Sequence, residues 1–366
     1  MTSDWTTVDG RPLPAEATDG LPTAAGGLPT TSAGGLTTAS AGVPSAASAG
    51  GLPTASAGDP SAGSAGVPSA ATVDGLPGAL VRLAERCVRA DGGMPLAVEP
   101  WFLRRRWAAA DGQTFALRGD DGELLAAGAV CPAGDGVIVT GLVDPAARGR
   151  GLGAEVLDRG LALARSAGSN GGGAERPRVP VTVETESLTA EGAALFASRG
   201  LRQAFAEDVM RIELKEPGPA NWPTGAVVTE WSEKTAGRFH AVYRDSFKDR
   251  PGFPDEPAAE WIAEYDEDDE FRPGWSVLVT LPEVGDVGFV TAALGWIVQV
   301  GVAPSARGRG IGAALMRESL ARMAADGAGE AWLNVNVNNP GAAGLYRRLG
   351  FADRGRRARY TNELAS

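Results

Sequence analysis

The stretch Val302-Ala303-Pro304-Ser305-Ala306-Arg307-Gly308-Arg309-Gly310-Ile311-Gly312-Ala313 has a near copy earlier in the chain. That copy reads Val143-Asp144-Pro145-Ala146-Ala147-Arg148-Gly149-Arg150-Gly151-Leu152-Gly153-Ala154, at an offset of 159 residues. Solenoid repeats have periods of roughly 20–50 residues, so this spacing reads as a duplicated domain. Each copy follows an apolar, β-rich run, Val137-Ile138-Val139 in one and Trp296-Ile297-Val298-Gln299-Val300 in the other. Each leads into apolar residues at helical spacing: Leu152, Val156 and Leu161, then Ile311, Leu315, Leu320 and Met323. Both copies therefore predict a strand, a glycine-rich turn and a helix start. Glycines let the backbone approach a ligand, and a helix start aims unpaired N–H groups at it. With arginines beside them, the two stretches predict phosphate or pyrophosphate cradles.

Two nucleotide readings fail on detail. Gly308-x-Gly310-x-x-Ala313 satisfies a loose dinucleotide fingerprint, but that fold wants an acidic residue closing the next strand to hold a ribose. Glu330 precedes the next strand, Ala331 to Val337, and is badly placed for it. No Lys-Ser or Lys-Thr follows the glycines, so the chain has no P-loop there.

After one helix and that strand comes Leu333-x-Val335-x-x-x-Asn339-x-x-Ala342-x-x-Leu345-Tyr346-x-x-x-Gly350-Phe351. In this order and spacing, the glycine loop and this block resemble the GNAT superfamily of acyl-CoA N-acetyltransferases. The resemblance spans about residues 79–366, and its overall plan is similar to mycothiol synthase-type tandem acetyltransferases. It implies an α/β fold with mixed sheets and acetyl-CoA as the acyl donor. It also implies a loop, Arg307, Gly308, Arg309, Gly310, Ile311 and Gly312, that binds the CoA pyrophosphate. Val300 and Val302 would pair with the pantetheine arm, Asn339 would touch the cofactor, and Tyr346 would lie near the sulfur as catalytic acid. A possible second cofactor site falls on Val143, Arg148, Gly149, Arg150, Gly151 and Gly153.

The copies are not equal. Where the second has Asn339, Ala342 and Tyr346, the first has Thr189, Gly192 and Phe196. Phenylalanine cannot give a proton to a leaving thiolate, so the first copy reads as degenerate and the second as the catalyst. The first also carries an insertion, Ser169-Asn170-Gly171-Gly172-Gly173, between its helix and the next strand. In the second copy, the places where many relatives keep a carboxylate base hold Val298, Gln299 and Asn334. Asp255 and Glu256 lie in the segment that should face the substrate and are the expected substrate-binding residues.

Composition sets the frame. Residues 1–76 are almost wholly Ala, Gly, Ser, Thr, Pro and Leu in short similar units, a composition that cannot bury a core and predicts a disordered tail. The remaining chain divides into an N-terminal domain at 77–215, a linker at 216–225 and a C-terminal domain at 226–366. Two cysteines and a single histidine, His240, exclude disulfide scaffolds and histidine-rich metal sites, so no metal is expected. The net charge of −11 disfavours nucleic-acid binding and suits a cationic small-molecule amine. No stretch approaches the roughly 20 apolar residues of a membrane span, and the sequence predicts a soluble, cytoplasmic monomer with two pseudo-symmetric domains. A non-catalytic acyl-CoA-binding module and a peptide or protein acceptor stand as alternatives.

Overall fold

A computed structural model describes residues 5–6, 72–73, 76–108, 111–134, 136–167, 180–215, 217–250 and 253–362. Most of the low-complexity segment and the insertion at 169–173 lie outside the described residues. In chain order the elements are α1 (Gly78–Asp91), α2 (Pro100–Trp107), β1 (Gln113–Arg118), β2 (Leu124–Ala133), β3 (Gly136–Val143) and α3 (Leu152–Ala167). Then come β4 (Val181–Thr185), α4 (Ala190–Ser198), β5 (Arg202–Glu213), β6 (Val227–Glu230), α5 (Ala236–Phe247), α6 (Ala258–Asp266) and β7 (Val277–Leu281). The chain ends through β8 (Gly285–Ala293), β9 (Trp296–Val302), α7 (Ile311–Ala325), β10 (Glu330–Asn336), α8 (Pro340–Leu349) and β11 (Ala352–Thr361).

These elements form two compact units. The first holds the described residues of 1–36, 63–208 and 354–366, and the second those of 209–353. Both divisions cut through strands, whereas the sequence places its linker at 216–225. The reason lies in long-range pairing. In the first unit, the last strand of the chain sits beside β4, with Ala358 opposite Thr185 and Tyr360 opposite Val183. The strand order there is β1-β2-β3-β4-β11-β5, and in the second unit it is β5-β10-β9-β8-β7-β6.

Local sequence explains the helices. Leu80, Leu83, Ala84 and Cys87 recur at helical spacing along α1 and are buried. Ile311, Leu315, Met316, Leu320 and Met323 do the same for α7. Asn339 caps α8, Pro340 occupies its first turn and Gly350 ends it in the left-handed conformation, φ 104°. In the second unit one core lies under α7 and α8 and another gathers the rings of Trp231, Phe239, Tyr243, Trp261, Tyr265 and Phe289.

Within the N-terminal tail two described residues, Trp5 and Thr6, meet the first unit. Trp5 is buried in the first unit, donates its indole N–H to Glu155 Oε2 at 3.1 Å and packs edge-on against Phe115. Thr6 exchanges two backbone hydrogen bonds with Ala116 of β1, 2.9 and 2.6 Å long. A large aromatic ring and a strand edge supply what the low-complexity composition lacks.

Candidate active site

In the second unit, β9 and β10 run parallel but pair only at Trp296 and Trp332. Beyond that point the two strands part, leaving the β9 backbone edge without a partner strand. On its other side β9 pairs with β8, and a bulge between Thr291 and Ala292 leaves Val298 as the extra residue. The glycine-rich turn follows. Gly308 and Gly310 have φ of 77° and 79°, and a Cβ on either would meet open space. The turn therefore needs glycine for its conformation, and the amides opening α7 have no carbonyl one turn back. Left-handed glycines, open space above them and a helix start together fit a pyrophosphate.

The two arginines of the loop do different things. Arg307 donates from Nε to the Val302 carbonyl at 3.1 Å and from Nη2 to the Ser246 carbonyl at 2.9 Å. It ties the end of β9 to the end of α5. Arg309 is exposed on the loop. Ile311, Val300, Val302 and Tyr346 meet in one core cluster. Asn339 accepts from the Ala342 amide at 3.2 Å, so its Oδ1 is used in capping α8. Gly312 lies in the first turn of α7, its Cα facing Leu345 and Val302.

Tyr346 is buried, and burial pushes its phenol up to about 12, against a smaller pull from the charge of Arg250. Among the described residues its hydroxyl has no hydrogen-bond partner. Burial likewise pushes Tyr243 up to about 12, with Glu256 and Glu264 adding to the effect and Arg250 opposing it. The acidic residues expected to face the substrate are not alike. Asp255, at a left-handed φ of 46°, holds Arg244 in an exposed pair with contacts of 2.6 and 3.1 Å. The Glu256 carbonyl accepts from His240 Nε2 at 2.9 Å, which makes the lone histidine a buried structural donor.

Sequence reasoning missed Glu264 on α6. It is half-buried, and burial together with the nearby charge of Glu256 raises it above the usual carboxylate range. Helical spacing alone, with Trp261 and Tyr265 facing inward, gave no sign of it. Gln299 Oε1 and Asn334 Oδ1, at the places where a base was sought, are buried and lack hydrogen-bond partners.

The first unit repeats the design with different chemistry. Strands β3 and β4 pair at Val137, Ile138 and Val139, with Val181, Thr182 and Val183 opposite, and then diverge. Gly149 and Gly151 are left-handed, φ 74° and 88°, and α3 starts at Leu152. Arg148 donates to the Val143 carbonyl at 3.3 Å and grips Asp91 at the end of α1 with two contacts of 2.6 Å. Arg150 and Gly153 belong to the same turn, Arg150 exposed and Gly153 inside α3. Thr189 caps α4 by accepting from Gly192 N at 3.0 Å, so threonine and asparagine serve the two units as equivalent caps. Phe196 stands where the second unit has Tyr346 and packs against Tyr360, with ring centroids 4.9 Å apart. Counting back five residues from each cap places Glu184 of the first unit opposite Asn334 of the second, and Glu186 opposite Asn336. That count was available in the sequence and would have found both carboxylates.

Comparisons with known proteins agree with this geometry. The model of the acetyltransferase (GNAT) family matches residues 81–171 and 225–351, more than half of the chain. A mycothiol acetyltransferase of Clavibacter michiganensis subsp. michiganensis is 28% identical over 289 residues, covering 75% of this chain and 87% of the relative. A streptothricin acetyltransferase of Streptomyces lavendulae is 51% identical over 57 residues, 15% of this chain and 30% of that one. The solved structure of a GCN5-related N-acetyltransferase from Sphaerobacter thermophilus superposes with TM-score 0.59 at 26% identity, over 77% of this chain and 91% of that one. A tandem GNAT protein from the clavulanic acid biosynthesis pathway shares the fold at TM-score 0.50 and 16% identity, over 79% and 95% of the two chains. Among the described residues no helix is long and apolar enough to cross a membrane. With two matched regions, each built on a parting parallel strand pair and a glycine turn, the chain belongs to the acetyltransferase (GNAT) family and is an acyltransferase enzyme.

Proposed function

We propose that the second unit transfers an acetyl group from acetyl-CoA to the primary amine of a small cationic molecule, such as an aminosugar. The observation that carries this reading is Tyr346, a buried phenol with no hydrogen-bond partner in a core cluster shared with Val300, Val302 and Ile311. Bound there, acetyl-CoA supplies an activated thioester. The amides of Gly308 to Gly312 would hold its pyrophosphate, with Arg309 adding charge from the surface and Arg307 fixing the loop. A backbone N–H on the unpaired edge of β9 would donate to the acyl oxygen; one such donor is commonly worth about 10²–10³ in rate. Tyr346 Oη would hold the proton donated toward the leaving sulfur. Because its phenol is pushed up to about 12, it stays protonated near neutral pH and keeps its proton for the leaving sulfur.

The acceptor needs an acidic surround, and Glu256 with Glu264 supplies it. Glu264, raised above the ordinary carboxylate range, is suited to take a proton from the incoming ammonium through water. Asp255 would contribute through its hold on Arg244 and not by touching the acceptor. Relatives named for acetyl transfer to mycothiol and streptothricin support a small-molecule acceptor. Thiol release from acetyl-CoA by the full chain, measured over a panel of aminosugars and other amines, tests the reading. It expects release that depends on the acceptor; acetyl-CoA binding with no acceptor-dependent release on any amine would overturn it.

A further inference from the structure

Strand β1 stands at the end of the first unit's strand order, and Thr6 covers that edge at one residue, an isolated antiparallel bridge to Ala116. Beside the bridge, the Trp5 ring lies 5.7 Å from Phe115 between centroids, and the Arg159 guanidinium stands 5.2 Å over it. Glu155, one helical turn before Arg159 on α3, accepts the indole N–H. An aromatic wall, an edge strand and two charged side chains thus form a slot for a short strand segment carrying a tryptophan. The fit is incomplete. Thr6 Oγ1 and Arg159 Nη1 are buried without a hydrogen-bond partner, and burial pulls Arg159 down against the charge of Glu155. Unmatched buried polar atoms weaken a contact, so the segment is held by its ring and one bridge and is suited to exchange. Residues 7–71, almost wholly Ala, Gly, Ser, Thr, Pro and Leu, separate Thr6 from Thr72, where the described chain resumes. A tether that long can seat Trp5 on its own first unit or on a neighbour's. It holds the segment near its own slot at an effective concentration on the order of millimolar at most. Slot and segment are identical in every copy, so exchange keeps each contact and changes only which molecule supplies Trp5.

We propose that the segment also docks in trans: two copies exchange their N-terminal segments, each Trp5 filling the slot of the other's first unit, and form a symmetric dimer. The inference concerns assembly and does not depend on the acetyl transfer assigned to the second unit. The full parent chain is followed by sedimentation velocity from about 10 µM to about 1 mM, towards the effective concentration of the tether. A synthetic peptide of residues 1–10 is then added in excess. The same peptide is titrated by calorimetry into the parent and into full-length Trp5→Ala. The expected result is a shift from monomer towards dimer as concentration rises, reversed by the peptide. The peptide should bind the Trp5→Ala chain at least about tenfold tighter than the parent, whose own segment competes for the slot. Trp5→Ala within the peptide should weaken that binding by about tenfold or more. A parent chain that stays monomeric to about 1 mM would overturn the proposal, as would a dimer that excess peptide leaves intact, and neither result needs a variant. So would equal binding of the peptide by the parent and by a Trp5→Ala chain that circular dichroism shows to be folded.

Discussion

Arg307 donates from Nη2 to the carbonyl oxygen of Ser246, 2.9 Å away, and so fastens the start of the glycine loop to the end of α5. The close approach depends on Gly301, where a Cβ would meet Ser246 at 2.9 Å and Phe289 at 2.6 Å. Arg148 and Asp91 make the same fastening in the first unit with an ion pair. The first arginine of each motif thus ties the loop to a neighbouring helix, and the second makes no such tie.

Replacing the two arginines should therefore separate stability from cofactor affinity. Arg307→Ala should lower stability by about 1.5–3 kcal/mol, the range for hydrogen bonds to charged groups. Arg309→Ala should change stability by less than about 0.5 kcal/mol, as exposed substitutions do, and raise KM for acetyl-CoA several-fold. Urea titration of both variants, with steady-state kinetics, checks the pair.

Asn339 can be tested against its counterpart Thr189. Asn339→Ala removes a cap and should cost about 1 kcal/mol, while Asn339→Thr keeps the oxygen and should cost only a few tenths. If Asn339 also touches the cofactor, the threonine variant will still show a raised KM for acetyl-CoA.

Glu264 gives a pH signature. Its folded value is raised by burial and by Glu256, so its protonated form is the one the fold prefers. The associated stability is greatest below the unfolded value of about 4.3 and is lost as pH rises through the folded value. Glu264→Gln should then be more stable than the parent near pH 7, with the gap closing towards pH 4. Turnover of cationic acceptors should fall by about tenfold or more in the same variant, a floor set below the roughly 10²–10⁴ of directly positioned acids and bases because a water would relay the proton. Chemical denaturation across this pH range, with matched assays, measures both.

Trp5 offers a test of the anchored N-terminus. Truncating a buried tryptophan to alanine commonly costs about 3–5 kcal/mol. Trp5→Ala should destabilise the first unit by an amount within that range, the lost hydrogen bond to Glu155 adding to the lost burial. Hydrogen exchange in α3 and β1 reports on that unit directly; unchanged exchange would show that Trp5 supports nothing there.

Much of this was readable before any coordinates. The duplicated motif at Val143 and Val302 already implied two α/β units, because left-handed glycines ahead of a helix leave a strong local mark. What stayed hidden depends on distance along the chain. The pairing of Tyr360 with Val183 has no local signature, so the unit boundaries were not legible. Nor was the anchoring of Trp5, whose partners Glu155 and Phe115 lie far along the sequence. Asn339 and Thr189 are like-for-like caps, a role that ligand chemistry alone does not reveal, and Glu184 and Glu186 stand out only when the two copies are aligned on those caps.

The central claim is that a buried, unpartnered phenol in the second unit drives acetyl transfer to an amine. The most direct measurement is kcat for acetyl-CoA thiol release by Tyr346→Phe, with an aminosugar acceptor at saturation and the variant's fold verified by thermal unfolding. The account predicts a fall of about 10² or more, in line with a positioned acid. A kcat within about twofold of the parent would contradict it.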